Sequence, residues 1–321
     1  MNLEKEVQMS EQISLVETKL IEPNPENPRL IFHQDELDAL QESIKVQGIL
    51  VPLTIYRDGK GFRILDGERR WRCAVKLGFA KVPAIAQPKP DKFTNLLMMF
   101  AIHHRRNEWD PLPTALKLQV LEDMYAERHE VRPTEKQLAE LASLTRGEVR
   151  RYKKLLALPE KYKSMLLEEL TKPRSQQILT VDHVIEAAAA AQSLSKRGII
   201  SEKEEDVFRE AVVDKFKTKV IESTVDPRSF SRLSRAVERD ELPMQVARKA
   251  VHRFINEPTY TVRQMFTETV EDQDYQHGTN QIADRLIARL VEVQEREYEL
   301  SPALRDSLIA LVKLIRNITK G

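Results

Sequence analysis

The stretch TEKQLAELASLTRGEVRRYKKLLALP, residues 134–159, decides the fold of the middle of the chain. Thr134 followed by Gln137 is a capping-box pattern, in which each side chain satisfies a free backbone N–H group at a helix start. Thr145 followed by Glu148 repeats the pattern after a short turn. The stretch therefore predicts two short helices at the spacing of a helix-turn-helix, whose second helix lies in the DNA major groove.

Charge favours a nucleic-acid contact on the second of these helices. Residues 145–163 contain seven bases and two acids, a balance of +5 in a chain whose net charge is +1. The residues predicted to point inward are Leu138, Leu141, Ala142, Val149, Tyr152, Leu155 and Leu156. The residues expected to face DNA are Thr145, Arg146, Arg150, Arg151, Lys153 and Lys154. The alternative is a solvated basic face on an ordinary helical hairpin.

Upstream of this stretch, short strands and short helices alternate. The segment EPNPENP, residues 22–28, excludes helix because each proline biases its predecessor toward extended backbone. The predicted elements are a strand at Ile13–Ile21, a helix from Gln34 to Gly48, strands at Pro52–Tyr56 and Phe62–Leu65 around a turn at Arg57–Lys60, a helix at Glu68–Leu77, a strand at Val82–Ala86, and helices at Phe93–Ile102 and Pro111–His129. This mixture predicts a compact α+β domain followed by helices alone.

The sequence DGERRWR, residues 66–72, stands where a predicted strand turns into a helix. Gly67 lets a ligand approach the backbone closely, and the helix start offers free N–H groups to an anion. Arg69 and Arg70 add fork-shaped donors that suit phosphate oxygens. The corner therefore predicts a polyphosphate site; the alternative is a surface ion-pair network with Glu68.

Bulk composition narrows the class of protein. The 321 residues are enough for two or three domains, and 41% hydrophobic residues with 6% aromatics and 9 glycines are typical of a helix-rich soluble chain. The single cysteine, Cys73, excludes an internal disulfide, is expected to be a packed thiol, and indicates a reducing compartment. No apolar run approaches the roughly 18 residues of a membrane span. Residues 1–12 lack the apolar core of a secretory signal, so a cytoplasmic protein is expected.

The C-terminal half, residues 176–321, shows helical periodicity throughout. Two apolar stripes stand out, formed by Ile282, Leu286, Leu290 and Val293 and by Leu304, Leu308, Leu311 and Ile315. Stripes of this kind predict core within the chain; the alternative is a dimer interface.

Several motifs in order resemble the ParB family of partition proteins, including its KorB relatives. They are PNPENPR (23–29), an LxxLxxSIxxxG helix (37–48), GILVPL (48–53), ILDGERRWRCAVKLG (64–78) followed by VPAI, and the helix-turn-helix that ends in LLALPEKYKSML. The resemblance covers roughly residues 14–175 and fades beyond Ile185.

The resemblance implies that the chain binds cytidine triphosphate (CTP), with Mg²⁺, through three sequence boxes. The matching residues are Gly48, Pro52 and Leu53 in the first box, Gly67, Glu68, Arg69 and Arg70 in the second, and Arg106 in the third. Ile102 and His103 stand where the third box has an acid and an amide. Because magnesium prefers oxygen ligands, this departure weakens metal placement, and whether CTP is hydrolysed stays open. Adjacent His103 and His104 diverge by about 100° on a helix, so no metal site is predicted there.

The resemblance also implies an organisation and partners. The expected parts are a flexible tail (1–12), an N-terminal nucleotide-binding domain (13–104), a helix-turn-helix domain (105–175) and a helical C-terminal region suited to dimerisation (176–321). The expected protein is a homodimeric DNA clamp that binds a palindromic site on the nucleoid or a plasmid and has a ParA-type ATPase as partner. One alternative is a KorB-like transcription regulator without a productive nucleotide cycle. The other is an enzyme of the sulfiredoxin or free-serine kinase fold, which the attached helix-turn-helix disfavours.

Overall fold

The computed structural model describes residues 12–103 and 109–319. The chain forms two compact units. The first comprises residues up to Gln192 together with Lys203–Pro227, and the second comprises Ser193–Glu202 together with residues from Arg228 onward. The predicted order, an α+β part followed by helices alone, is confirmed.

The first unit begins with a five-stranded mixed sheet. Its strands are β1 (Ser14–Glu17), β2 (Ile21–Glu22), β3 (Leu53–Asp58), β4 (Gly61–Asp66) and β5 (Lys81–Gln87), in the order β1-β5-β3-β4-β2. The central strand β3 is antiparallel to β4 and parallel to β5. Two helices, α1 (Gln34–Gln47) and α2 (Glu68–Lys76), pack against each other and complete this α+β part.

The predicted strand at Ile13–Ile21 is divided by a 3-10 turn at Thr18–Leu20. The Thr18 hydroxyl donates to the carbonyl of Phe79 at 2.5 Å, and its own carbonyl accepts from the Trp71 indole at 3.3 Å. These contacts turn the chain, so that β1 pairs with one edge of the sheet and β2 with the other. The predicted single strand was therefore wrong.

The hairpin between β3 and β4 is tighter than predicted. The strand β3 continues to Asp58, which leaves Gly59 and Lys60 as the turn, and Gly59 has a φ of +60°. The Asp58 carboxylate pairs with Arg63 at 3.2 Å and with Lys89 at 2.6 Å. These ion pairs hold the end of β3 in the sheet.

A third helix serves both the sheet and the helices that follow. This helix, α3 (Lys92–His103), presents Met99 to a cluster that contains Leu65 of β4. Its Leu96 and Phe100 belong instead to a buried cluster with Val149. The helices that follow are α4 (Pro111–His129), α5 (Glu135–Leu141), α6 (Arg146–Leu156), α7 (Glu160–Thr171), a 3-10 turn at Arg174–Gln176, α8 (Val181–Lys196) and α9 (Glu204–Lys217).

The second unit is helical. Its helices are α10 (Arg228–Glu238), α11 (Met244–Asn256), α12 (Val262–Thr269), α13 (Glu271–Glu295) and α14 (Pro302–Ile318). Phe230 and Phe254 meet edge to face at 4.8 Å in the core between α10 and α11. Among the described helices, none has the length and apolar character that a membrane crossing requires.

The two apolar stripes of α13 and α14 are not core within this chain. Neither helix has a buried residue over its described length. Ile282 is 69% exposed and Ile315 is 48% exposed. The prediction of intrachain core was wrong, because periodicity identifies an apolar face without identifying what covers it.

The loop Asn24–Arg29 is anchored through buried amides. The side chains of Asn24 and Asn95 exchange hydrogen bonds of 2.9 and 3.2 Å, and both are at most 6% exposed. Asn27 donates to the Glu68 carboxylate at 2.8 Å and accepts from the backbone of the loop at 2.9 Å. The loop is thereby fixed to the first turn of α2 and to α3.

Replacing Asn95 by leucine is expected to lower the free energy of unfolding by about 1–3 kcal/mol, because the buried Asn24 amide loses the two hydrogen bonds that it exchanges with Asn95. Urea denaturation measures the change. Replacing both asparagines by leucine is expected to cost less than the sum of the two single changes, since the paired groups are coupled. An Asn95→Leu protein as stable as the wild type would contradict this account of the loop.

Candidate functional site

The corner between β4 and α2 depends on a glycine. Gly67 has a φ of +96°, in the left-handed region that disfavours side chains. A Cβ atom there would lie 3.1 Å from the Arg70 guanidinium and 3.2 Å from Leu53 Cγ. The first hydrogen bond of α2 runs from Trp71 N–H to the Gly67 carbonyl, so the N–H groups before it have no partner within the helix. The corner combines a tight backbone with helix-start N–H groups that have no partner within the helix.

Arg70 joins the two sequence segments that were predicted to bind nucleotide. Its guanidinium donates to the carbonyl oxygens of Val51 and Pro52, the latter at 2.9 Å, and to the Asp66 carboxylate at 3.0 Å. The side chain is only 15% exposed. The segment 48–53 is therefore held beside Gly67, although Leu53 itself points into the core and is fully buried.

Arg69 and Glu68 are also held by protein groups. Arg69 donates to the backbone carbonyl of Glu36 at 3.2 Å, while its Nε is buried without a hydrogen-bond partner. Glu68 is 7% exposed and accepts from Asn27 and from Arg72. Both the predicted donors and the alternative ion-pair network are present at this corner.

Glu36 gathers three guanidinium groups from separate parts of the first unit. Its carboxylate is 2.9 Å from Arg29, 3.9 Å from Arg69 and 2.9 Å from Arg174. The hydrogen bond from Arg174 lowers the pKa of the Glu36 carboxyl, burial opposes this, and the charges of the three arginines add to the lowering. Neither Glu36 nor Arg174 was predicted as a site residue, because an acid in a first helical turn and an arginine 138 residues away carry no pattern that pairs them.

The third predicted box is only partly described. Arg106 lies outside the described residues, as does the side chain of His103. Ile102 is half-buried and packs against the cluster of Tyr56, Leu65 and Met99. Its side chain serves the core and offers no oxygen to a metal.

Both capping boxes that the sequence predicted are present. Thr134 and Gln137 form a capping box at the start of α5, and Thr145 and Glu148 form one at the start of α6. Val149 is fully buried, and the helices pack through the cluster that contains it. The local geometry of a helix-turn-helix therefore follows from residues 134–156.

Several cations of α6 are paired with carboxylates in the isolated chain. Arg150 lies 2.8 Å from Glu135, and Arg151 lies 2.8 Å from Asp182. Lys153 lies 3.2 Å from Glu122. Thr145, Arg146 and Lys154 are exposed, with Thr145 engaged as the cap. The predicted DNA-facing set thus lies along one helix, with half of its members in exchangeable surface ion pairs.

The comparison with known proteins identifies the N-terminal part. Residues 2–100 match the model of the ParB N-terminal domain. The chain therefore contains a ParB N-terminal domain. The ParB N-terminal domain accounts for the sheet, for α1 and α2, and for most of α3.

Curated relatives extend the similarity beyond that domain. The chain is 30% identical over 176 residues to the nucleoid occlusion protein of Geobacillus kaustophilus, covering 54% of this chain and 60% of that protein. It is 30% identical over 178 residues to the chromosome-partitioning protein ParB of Myxococcus xanthus, covering 55% of this chain and 58% of that protein. The matched region is thus about 60% of the length of these relatives.

Solved structures of ParB from Caulobacter crescentus are also similar. The C-terminally truncated protein complexed to the centromeric parS site is 24% identical with a TM-score of 0.43, covering 69% of this chain and 98% of that chain. The form complexed with CTP-gamma-S is 22% identical with a TM-score of 0.28, covering 64% of this chain and 98% of that chain.

Replacing Gly67 by alanine is expected to destabilise the protein by about 1–3 kcal/mol, because the added Cβ is crowded and the backbone is strained. Gly278→Ala is the matched control, since a Cβ there meets nothing within 4 Å and alanine favours the α13 helix. Thermal unfolding of both variants measures the difference. A Gly67→Ala protein as stable as Gly278→Ala would show that the corner does not need glycine.

Proposed function

We propose that this chain is a DNA-binding partition protein that binds CTP at the corner between β4 and α2. The observation that carries the proposal is that Arg70 ties the segment 48–53 to the start of α2. Free N–H groups and guanidinium donors at a helix start suit a polyphosphate. The structure of a relative complexed with CTP-gamma-S supports the choice of nucleotide.

The described residues fit a nucleotide better than they fit a protein-bound magnesium ion. The buried, unpartnered Nε of Arg69 suits a phosphate oxygen. The nearby carboxylates are already engaged, Asp66 by Arg70 and Glu68 by Asn27 and Arg72. In the described part of the chain, no group of three His, Cys, Asp or Glu side chains is placed to hold a metal ion. The proposal is therefore for CTP binding, and no catalytic residue is assigned.

We propose that α6 contacts duplex DNA. Its cations would exchange carboxylate partners for phosphates, and Arg146 and Arg150, near the helix start, would approach the base edges. A relative complexed to its centromeric parS site supports a centromere-like target, and a palindromic form of that site is part of the proposal. The nucleoid or a plasmid is then the expected location, and a ParA-type ATPase is the expected partner. Residues 1–11 of the predicted flexible tail lie outside the described residues.

A second candidate function is that of a KorB-like transcription regulator without a productive nucleotide cycle. The observation that favours it is that Ile102 stands where the third box has an acid. Its side chain packs against the core and offers no oxygen to a metal. Calorimetric titration of the purified chain with CTP and with ATP, followed by CTP hydrolysis assays with and without cognate DNA, separates the two functions. Binding and hydrolysis of CTP support the clamp, whereas a chain that binds DNA but does not bind or hydrolyse CTP supports the regulator.

Replacing Arg150 by alanine is expected to weaken DNA binding and to reduce its salt dependence. Each neutralised phosphate contributes a slope of about −0.9 to the plot of log affinity against log salt, so losing one contact flattens the slope by about one unit. Fluorescence anisotropy at several salt concentrations measures both quantities. Arg289→Ala removes an arginine of α13 that is 74% exposed and should leave them unchanged. Equal effects of the two changes would argue against contact through α6.

The stripes of α13 and α14, which contain no buried residue in this chain, are proposed to pair with those of a second copy, because a palindromic site needs two readers related by a twofold axis. Leu311→Glu places a charge on the stripe of α14 and is expected to convert dimer to monomer. Lys313→Glu is the control, because residue 313 lies on the opposite face of the same helix. Light scattering after gel filtration gives the mass, and a Leu311→Glu dimer would contradict this interface.

A further inference from the structure

Three arginines share the single carboxylate of Glu36. Arg29 comes from the loop before α1, Arg69 from the first turn of α2, and Arg174 from the 3-10 turn after α7. Two of them hydrogen-bond to the Glu36 carboxylate at 2.9 Å, while Arg69 stays at 3.9 Å. Of the three arginines, Arg69 therefore has the weakest contact with the Glu36 carboxylate.

Arg69 also lies in the first turn of α2, at the proposed nucleotide site. Its hydrogen bond to the Glu36 carbonyl turns it toward α1, and its Nε is buried without a partner. A phosphate oxygen that binds Arg69 has to compete with the Glu36 carboxylate for the same positive charge. The strength of this competition depends on how well Glu36 is satisfied by its other partners.

We infer that Glu36 is a built-in counter-anion that competes with the nucleotide for Arg69, and that Arg174 sets the outcome of the competition. When Arg69 turns to phosphate, Glu36 keeps Arg174 and Arg29 as partners. Without Arg174, the carboxylate would lose one of these partners and hold Arg69 more tightly. This inference rests on the proposed binding of CTP at the corner.

The helices that carry the helix-turn-helix would then regulate the affinity of the corner for CTP. Arg174 follows α7, so its position depends on the region that carries the helix-turn-helix. A change that moves Arg174 away from Glu36 should lower CTP affinity, and by linkage CTP should favour the position in which Arg174 contacts Glu36. Arg174 is thus a positioning residue that acts on the nucleotide through Glu36.

The test is calorimetric titration of the full chain with CTP in magnesium buffer. Glu36→Gln keeps the shape of the side chain and removes the competing charge, so the dissociation constant should fall about threefold or more. Arg174→Ala should raise it by a similar factor, and Arg174→Lys, which keeps the charge, should restore most of the affinity. In the double variant Glu36→Gln/Arg174→Ala, loss of Arg174 should have no further effect.

Glu26→Gln is the matched control. Glu26 forms an ion pair of 2.9 Å with Lys117 of α4, so the variant removes a contact between the same two parts of the first unit without touching Arg69. Its CTP affinity should equal that of the wild type. If Glu36→Gln and Arg174→Ala shift the affinity in the same direction, or if neither differs from Glu26→Gln, the inference is overturned while CTP binding stands. If the wild type binds no CTP, the proposed function fails first and the inference falls with it.

Discussion

The rest of the first unit depends on the buried polar contacts of the loop Asn24–Arg29. A proline-rich loop has few backbone hydrogen bonds of its own, and buried polar groups without partners cost free energy. This loop is satisfied by side chains from other elements, through Asn95 of α3, Glu68 of α2 and Glu36 of α1. The same contacts that satisfy the loop fix the start of α2, which is where an anion would bind.

Several cations of both candidate sites are already paired with groups of the protein. At the corner, Arg70 is held by Asp66 and by carbonyl oxygens, and Arg69 is held by Glu36. On α6, Arg150 is held by Glu135. These pairs keep the arginines ordered, but a phosphate gains only the difference between its own attraction and that of the resident group. Ligand affinity in such a protein depends on the resident acids as much as on the bases.

The sequence predicted what is local and failed where distant residues decide. The caps at Thr134 and Thr145 and the glycine corner at Gly67 follow from neighbouring residues, and all are present. The break at Thr18 depends on Phe79 and Trp71, more than 50 residues away, so strand periodicity alone could not reveal it. The contact between Glu36 and Arg174 could not be predicted, because only the fold brings these two residues together across 138 positions of sequence.

Hydrogen–deuterium exchange with and without CTP tests the central claim most directly, because backbone N–H groups at the corner are the proposed ligands. The account predicts slower exchange at the start of α2, residues 68–71, and in the segment 48–53 when CTP is added. Unchanged exchange at both segments in a chain that binds CTP, with protection elsewhere, would contradict it.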